Sequence, residues 1–376
     1  MIVVLKEFKK IQMGSKNYSK HLKFLSLSLG LLALVGCTQK EKKSVPLKSL
    51  EIRVFTWSDY LQPSIITDFE TQTGAKVTLD YFSSNEELLA KLQATFQGGG
   101  TGYDVIFPSD YMVGNLVSLG LLKELEKEKL PVLKEFDPQF LKPAYDPDLK
   151  HSLPFAWGTT GLAVNTKVMA GFDFKKGLSW KEFFENPKFA KKVTWMDDPK
   201  EILHAALKAQ GKEWATATEL DIRAAFDYLK KYKKNLKIFT AETRVVLEKD
   251  ECGICQAFSG DVLQVRAEKG NLEYLIPEEG ATLWTDNLAI PKNAQNPEIA
   301  YAFMNFVLGK NIAKGFVENT FFGTPNRDAM SLINAETRKN AAIFPNPEML
   351  KKLDHLTERP ELITLVDRLW TELKSQ

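Results

Sequence analysis

Between residues 50 and 111 the chain swings repeatedly between strand-like and helix-like patterning, and this alternation narrows its possible folds more than any other feature. Leu50, Ile52 and Val54 are separated by polar residues, the period of a strand. Leu61, Ile65 and Phe69 then recur every four residues, with Pro63 suited to a first turn and Gly74 to a stop. Val77, Leu79 and Tyr81 alternate again, and Ser84 with Glu87 has capping-box spacing ahead of Leu88, Leu89, Leu92 and Phe96. A third strand, Asp104-Val105-Ile106-Phe107, follows the glycine run at 98–102. This order predicts a parallel, doubly wound α/β sheet. Such sheets bind ligands at the carboxyl ends of their strands. There the chain carries Thr56-Trp57-Ser58-Asp59-Tyr60 and Pro108-Ser109-Asp110-Tyr111. Two rings flanking an acid make a seat for an organic cation, and the same residues also suit a plain strand-end turn with core aromatics.

At 376 residues the chain exceeds what one hydrophobic core usually serves, so two lobes are expected. Hydrophobic residues at 44% and charged residues at 26% fit a globular protein rather than a fibrous or disordered one. Glycines and threonines in Pro154-Phe155-Ala156-Trp157-Gly158-Thr159-Thr160-Gly161 mark a crossing into the second lobe. Helical periodicity follows at about 179–185, 201–210 and 219–232, and short strands at about 253–258 and 272–276. Residues 283–290 read as a strand returning to the first lobe, followed by helices at about 297–308, 312–319 and 360–373.

The first 36 residues are of another kind. Six lysines and one acid precede a thirteen-residue apolar run, 24–36, that ends at Cys37. That run is too short to span a membrane and suits the apolar region of an export signal. Leu34-Val35-Gly36-Cys37 resembles the lipobox of bacterial lipoproteins, which implies lipidation at Cys37, a signal peptide at 1–36 and a tether at 37–49. Met13 is an alternative start, and the Met13-Gly14 myristoylation pattern is discounted behind an export signal. Taking six lysines and one glutamate from 50 basic and 48 acidic residues leaves 44 and 47, a net charge of −3. An acidic balance argues against nucleic acid as a partner.

No catalytic pattern stands out in the sequence. The four histidines, His21, His151, His204 and His355, lack metal-ligand spacing, and the glycine run carries neither a phosphate-loop nor a dinucleotide fingerprint. Neither a metal nor a cofactor is expected. Cys252-Gly253-Ile254-Cys255 lies in a strand-like run where residues three apart face opposite ways, so buried thiols are expected, with a disulfide as the alternative. What recurs is an acid beside an aromatic: Trp57 with Asp59 and Tyr60, Trp195 with Asp197, Asp198 and Glu201, Phe258 with Asp261, and Trp284 with Asp286. Together they point to a cation-binding cleft between lobes.

These motifs, with Tyr103-Asp104-Val105-Ile106-Phe107-Pro108-Ser109, Asp197-Asp198-Pro199-Lys200-Glu201, Phe258-Ser259-Gly260-Asp261, Trp284-Thr285-Asp286-Asn287-Leu288-Ala289-Ile290-Pro291 and Gly323-Thr324-Pro325-Asn326, resemble the substrate-binding proteins of bacterial polyamine ABC transporters. The resemblance runs from about residue 50 to the C-terminus. It implies a two-lobed, type II periplasmic-binding-protein-like α/β fold with two or three crossovers and the ligand in the interlobe cleft. Residues 50–157 and 286–330 would form lobe 1, and 158–285 and 331–376 lobe 2. It also implies an aromatic box of Trp57, Tyr60, Tyr111, Phe258, Trp284 and Phe322 around the ligand's methylene chain. Ser58 and Ser109 would hydrogen-bond an ammonium group, and Asp59, Asp198, Glu201, Asp261 and Asp286 would supply countercharge.

Two positions depart from the family: Phe258 stands where tryptophan is frequent, and Phe322 where tyrosine is. Asp59 and Asp261 resemble the putrescine branch, Gly323-Thr324-Pro325-Asn326 the spermidine branch, so both ligands stay open. The implied partners are putrescine or spermidine and a membrane permease, for a monomer held at the periplasmic or outer face of a bacterial membrane by its lipid alone. The alternatives are a receptor for another organic cation, and a sensor or adhesin on the same fold.

Overall fold

The computed structural model describes residues 51–98, 102–174 and 176–375. The expected signal peptide, Cys37 and the tether, with part of the glycine run, lie outside the described residues.

The first lobe opens with strand β1 (Glu51–Thr56), helix α1 (Pro63–Thr73), β2 (Lys76–Tyr81), α2 (Asn85–Gln97), β3 (Val105–Ile106) and α3 (Asp110–Ser118). The local signals act as their chemistry dictates. Pro63 starts α1, and Gly74 ends it at φ 73°, a left-handed conformation that glycine adopts without a Cβ penalty. Ser84 accepts the Glu87 N–H at 3.1 Å, while the Glu87 carboxylate takes the N–H of Ser83 rather than that of the cap. β1 lies between β2 and β3 with all three parallel, Val54 pairing with both Leu79 and Val105.

Strand β4 (Ser152–Asn165) then runs out of this lobe, buried along its whole length. The second lobe continues with α4 (Trp180–Glu185), β5 (Val193–Met196), α5 (Pro199–Ala209), α6 (Glu219–Tyr232), β6 (Leu236–Thr240), α7 (Thr243–Glu248), β7 (Ile254–Phe258), α8 (Ser259–Lys269) and β8 (Leu272–Leu275). Strand β9 (Thr282–Ala289) returns, antiparallel to β4 from Thr282 opposite Thr160 to Ala289 opposite Ser152. There β9 meets β3, Ala289 facing Ile106. Helices α9 (Pro297–Leu308), α10 (Lys310–Thr320), α11 (Ala335–Lys339), α12 (Pro347–Leu350) and α13 (Ile363–Ser375) complete the chain. One sheet, ordered β2-β1-β3-β9-β4-β7-β5-β6 with β8 on β4, thus runs through both lobes.

Separate apolar cores mark the lobes. Ile52, Val54, Phe107, Leu288 and Phe303 belong to the first, and Trp180, Phe184, Trp195, Ile202 and Leu369 to the second. The first core extends to Ile333 and Ile343, beyond the expected boundary at 331, and Leu350 and Leu353 are the next residues packed in the second. The chain therefore crosses a third time, between Phe344 and Leu350.

Two sequence expectations need correction. Trp195 is no cleft aromatic: it is fully buried between Phe184 at 5.3 Å and Phe239 at 5.6 Å. Cys252 and Cys255 are joined as a disulfide over a Cα–Cα distance of 6.1 Å, not held as thiols. Strand β7 begins only at Ile254, so Cys252 and Gly253 lie in the bend before it, where strand alternation does not apply.

Candidate functional site

Asp286, on the crossing strand β9, is the centre of a buried hydrogen-bonded network. Two distant segments converge on this carboxylate, and a third braces one of them. Ser109, at the end of β3, donates its hydroxyl to Oδ1 at 2.6 Å, and Tyr60, beyond the end of β1, donates its phenol to Oδ2. Asn85, at the start of α2, donates to both Ser109 Oγ and Tyr111 Oη at 3.0 Å and accepts the Ser109 backbone N–H. Asp286 is 4% exposed. Burial pushes its pKa up to about 7 against the pull of the two hydroxyls, with Asp110 adding to the rise. Burial and Asp286 together hold the Tyr60 phenol well above its ordinary value.

The rings form two groups. Trp57 packs on Phe82 at 4.3 Å. Trp284 lies edge-on to Phe258 at 5.9 Å and to Phe322 at 4.9 Å. Glycines make this packing possible: a Cβ on Gly158 would strike the Trp284 ring, and one on Gly260 would strike Phe322. The indole N–H groups of Trp57 and Trp284 are buried without a hydrogen-bond partner among the described residues.

The second lobe brings its own acids. Asp198 caps α5, accepting the N–H groups of Lys200 at 2.8 Å and Glu201 at 3.1 Å, and burial raises its pKa. Glu201, 7% exposed, takes the hydroxyls of Thr160 and Thr282, each at 2.8 Å. Burial, then the Asp198 charge, pushes Glu201 up to about 8. Behind it Thr282 Oγ1 meets His204 Nδ1 at 2.9 Å, and His204 Nε2 lies 3.2 Å from Asp354, which also pairs with Lys208. Asp261, at the start of α8, accepts from Thr243 at 3.3 Å and is raised to about 6, mainly by burial. Asp59 is exposed at the cleft mouth, lining with Asp261, Glu242 and Arg244 a cavity of about 430 Å³. Ser58 is exposed there too, apart from the Asp286 network.

The site residues therefore fall into one hydrogen-bonded network (Tyr60, Ser109, Tyr111, Asp286), two ring groups, one helix cap (Asp198, Glu201) and the mouth (Ser58, Asp59, Asp261). Asn85, Phe82, Lys200 and Arg244 join them without being singled out from the sequence. Ser84-Asn85 read as a helix start and nothing more, because the role of Asn85 depends on Ser109 and Tyr111. The lobes touch across the cleft, with Gln264 of α8 donating to the Thr320 carbonyl at 3.1 Å.

Among the described residues, none of Asp59, Asp198, Glu201, Asp261 and Asp286 forms an ion pair, and the nearby cations are engaged elsewhere. Lys200 binds Glu358 at 2.7 Å, Arg244 binds Glu248 at 2.8 Å, and Lys374 binds Asp197 at 2.7 Å. Among the same residues no three His, Cys, Asp or Glu side chains are grouped to hold a metal ion, and no helix is long and apolar enough to cross a membrane.

The raised carboxyls have a consequence for stability. Asp286 and Glu201, at about 7 and about 8 in the fold, hold protons more tightly than an unfolded carboxyl near 4. Their contribution is complete below the unfolded value and is lost as pH rises through the folded values. His204, lowered by burial, acts only at more acid pH, and the depressed carboxyls of Asp250 and Asp354 stay ionised. The melting temperature of ligand-free protein should thus fall from about pH 4.5 to about pH 8, with His204 opposing the trend below about pH 6.5, and Asp286→Asn should flatten the slope below about pH 7. Calorimetric melts across that window check this; a rising melting temperature contradicts it.

The family model for bacterial extracellular solute-binding proteins matches residues 64–345. The chain is 33% identical over 357 residues to spermidine/putrescine-binding periplasmic protein 1 of Haemophilus influenzae, covering 93% of this chain and 98% of that protein. It is 32% identical over 360 residues to a putrescine-binding periplasmic protein of Escherichia coli, covering 91% and 94%. The solved spermidine/putrescine ABC transporter substrate-binding protein of Streptococcus pneumoniae superposes with a TM-score of 0.77 at 30% identity, over 87% of this chain and 99% of that one. The two lobes, the β4 and β9 crossings and these likenesses lead to one conclusion: the chain belongs to the bacterial extracellular solute-binding proteins of the type II periplasmic-binding fold, in the group that includes the spermidine/putrescine-binding periplasmic proteins.

Proposed function

We propose that this protein is the extracytoplasmic receptor of a polyamine ABC transporter, capturing putrescine or spermidine by closure of its lobes. The observation that carries the reading is the set of carboxylates, Asp286 among them, that have no ion-pair partner among the described residues. Burying an ammonium group is prohibitive unless carboxylates pair with it, and here carboxylates wait in the cleft. An ion pair at ~4 Å is worth roughly 4 kcal/mol before desolvation at an effective dielectric of about 20, against about 0.5–2 kcal/mol for a cation on an aromatic face. Acids therefore hold the charged ends, and Trp57, Trp284, Phe258 and Phe322 hold the methylene chain and set its length. Tyr60 and Ser109 come from the first lobe, and Asp198, Glu201 and Asp261 from the second. A ligand touching both sets favours the closed arrangement.

Titration with putrescine or spermidine tests the reading. Either ligand should change tryptophan emission and raise the melting temperature. Trp284→Ala should remove most of the emission change and weaken affinity about tenfold. If neither ligand alters emission or melting, the polyamine reading falls.

The same proposal extends to location: a monomer lipid-anchored at Cys37, on the periplasmic or outer face of a bacterial membrane, delivering ligand to a permease. Radioactive fatty acid should label wild-type protein in cells but not Cys37→Ser. Equal labelling would remove the anchor.

A further inference from the structure

Lys200 is a basic side chain inside an acidic cleft. It sits in the first turn of α5, and its ammonium lies over the ring of Tyr111, 3.7 Å from the centroid. That contact joins the second lobe to the first. The ring is tied through Asn85 to Ser109, and Ser109 to Asp286, so Lys200 stands at one end of the ligand network. The same ammonium pairs with Glu358 at 2.7 Å, both side chains being largely buried. The charges of Glu86, Asp198 and Glu358 all reach the Tyr111 hydroxyl, which also lies 3.5 Å from the Glu86 carboxylate. An aromatic face with a carboxylate beside it is what an alkylammonium ion seeks. Lys200 is itself an alkylammonium ion, and it fills that position from within the chain.

Resting on the polyamine reading, we infer that Lys200 is a specificity-determining residue: it occupies the seat of one ammonium group and thereby favours a diamine over a triamine. A diamine brings two charges, which Asp286 at the centre and Asp261 with Asp59 at the mouth can receive. A triamine brings a third, and at this end it meets a cation already in place. Like charges brought together in a closed cleft repel, and displacing Lys200 strips Glu358 and Tyr111 of their partner. Selection here works by repulsion as well as by fit.

The test compares dissociation constants for putrescine and spermidine, by calorimetry on the full chain, in wild type, Lys200→Met and Lys200→Arg. Methionine keeps an apolar stem and removes the charge. Lys200→Met should shift the spermidine-to-putrescine affinity ratio about tenfold toward spermidine, and Lys200→Arg should leave it near wild type. Should loss of the Glu358 pair impair folding, Lys200→Met with Glu358→Gln removes both charges and should give the same shift. An unchanged ratio with tight binding retained overturns the selector role alone. An equal change for both ligands makes Lys200 a closing contact between lobes and also overturns it. Failure of wild type to bind either polyamine overturns the receptor reading and this inference with it.

Discussion

Asp286→Asn is expected to weaken putrescine or spermidine binding by about thirtyfold or more while the protein stays folded. Asparagine keeps the shape of the side chain and can still accept the Ser109 hydroxyl, so the β9 backbone has no reason to move. What disappears is the charge at the centre of the network. Removing one partner of a buried, hydrogen-bonded charge pair costs about 2–5 kcal/mol. Ligand-free protein should not suffer, because a carboxyl raised to about 7 by burial is itself a burden on the fold near neutral pH. The control is Asp197→Asn: Asp197 lies next to Asp198 in sequence, but its carboxylate is tied to Lys374 at 2.7 Å on the exposed side. Calorimetry should show the loss at Asp286 and almost none at Asp197. Equal, unchanged affinities in both would mean that the Asp286 network is only structural.

The second large effect falls on stability, at a residue outside the proposed box. Gly280 precedes the crossing strand β9 with φ at 99°, a conformation that side chains rarely adopt. A Cβ there would strike the Lys352 carbonyl. The Gly280 carbonyl also accepts the Trp180 indole N–H at 2.8 Å. Residues 352–354 are laced to this strand root: Asp354 N–H donates to the Ala281 carbonyl at 3.1 Å, and Leu283 N–H to the Asp354 carbonyl at 2.8 Å. Gly280→Ala should therefore cost about 2–4 kcal/mol, from backbone strain together with the clash. Displacing this segment also moves Asp354, which holds His204, which meets the Thr282 hydroxyl on Glu201. The variant should melt several degrees lower and bind polyamine more weakly. A wild-type melting temperature would show that residues 352–354 yield freely.

How far the sequence foretells each element follows from how local its signal is. Helices α6 and α9 have the bounds their patterns predict, because Thr218 and Asp221 cap one reciprocally and Pro297 opens the other. Strand β5 passed unseen: all four of its residues are buried, so it shows no polar alternation. Helix α8 was missed because it starts at Ser259-Gly260, where glycine disfavours a helix but lets Phe322 approach. An acid beside an aromatic in sequence proved ambiguous. Asp286 joins the hydrogen-bonded network with Tyr60 and Ser109 and Trp284 packs on Phe258 and Phe322, while Trp195 is fully buried in the second core.

By itself, the sequence determined the strand–helix alternation, the end of the sheet at which the proposed ligand contacts lie, and the supply of acids and rings, since these rest on residues adjacent along the chain. Only the tertiary structure decided the pairings: Tyr60 with Asp286 across 226 positions, Asn85 with Ser109 and Tyr111, and Lys200 over Tyr111. It also decided which carboxyls are held near neutrality, Asp286 and Glu201 among them. A pKa and an ion pair depend on burial and on what stands opposite, and both are set only when the β4 and β9 crossings bring the two lobes face to face.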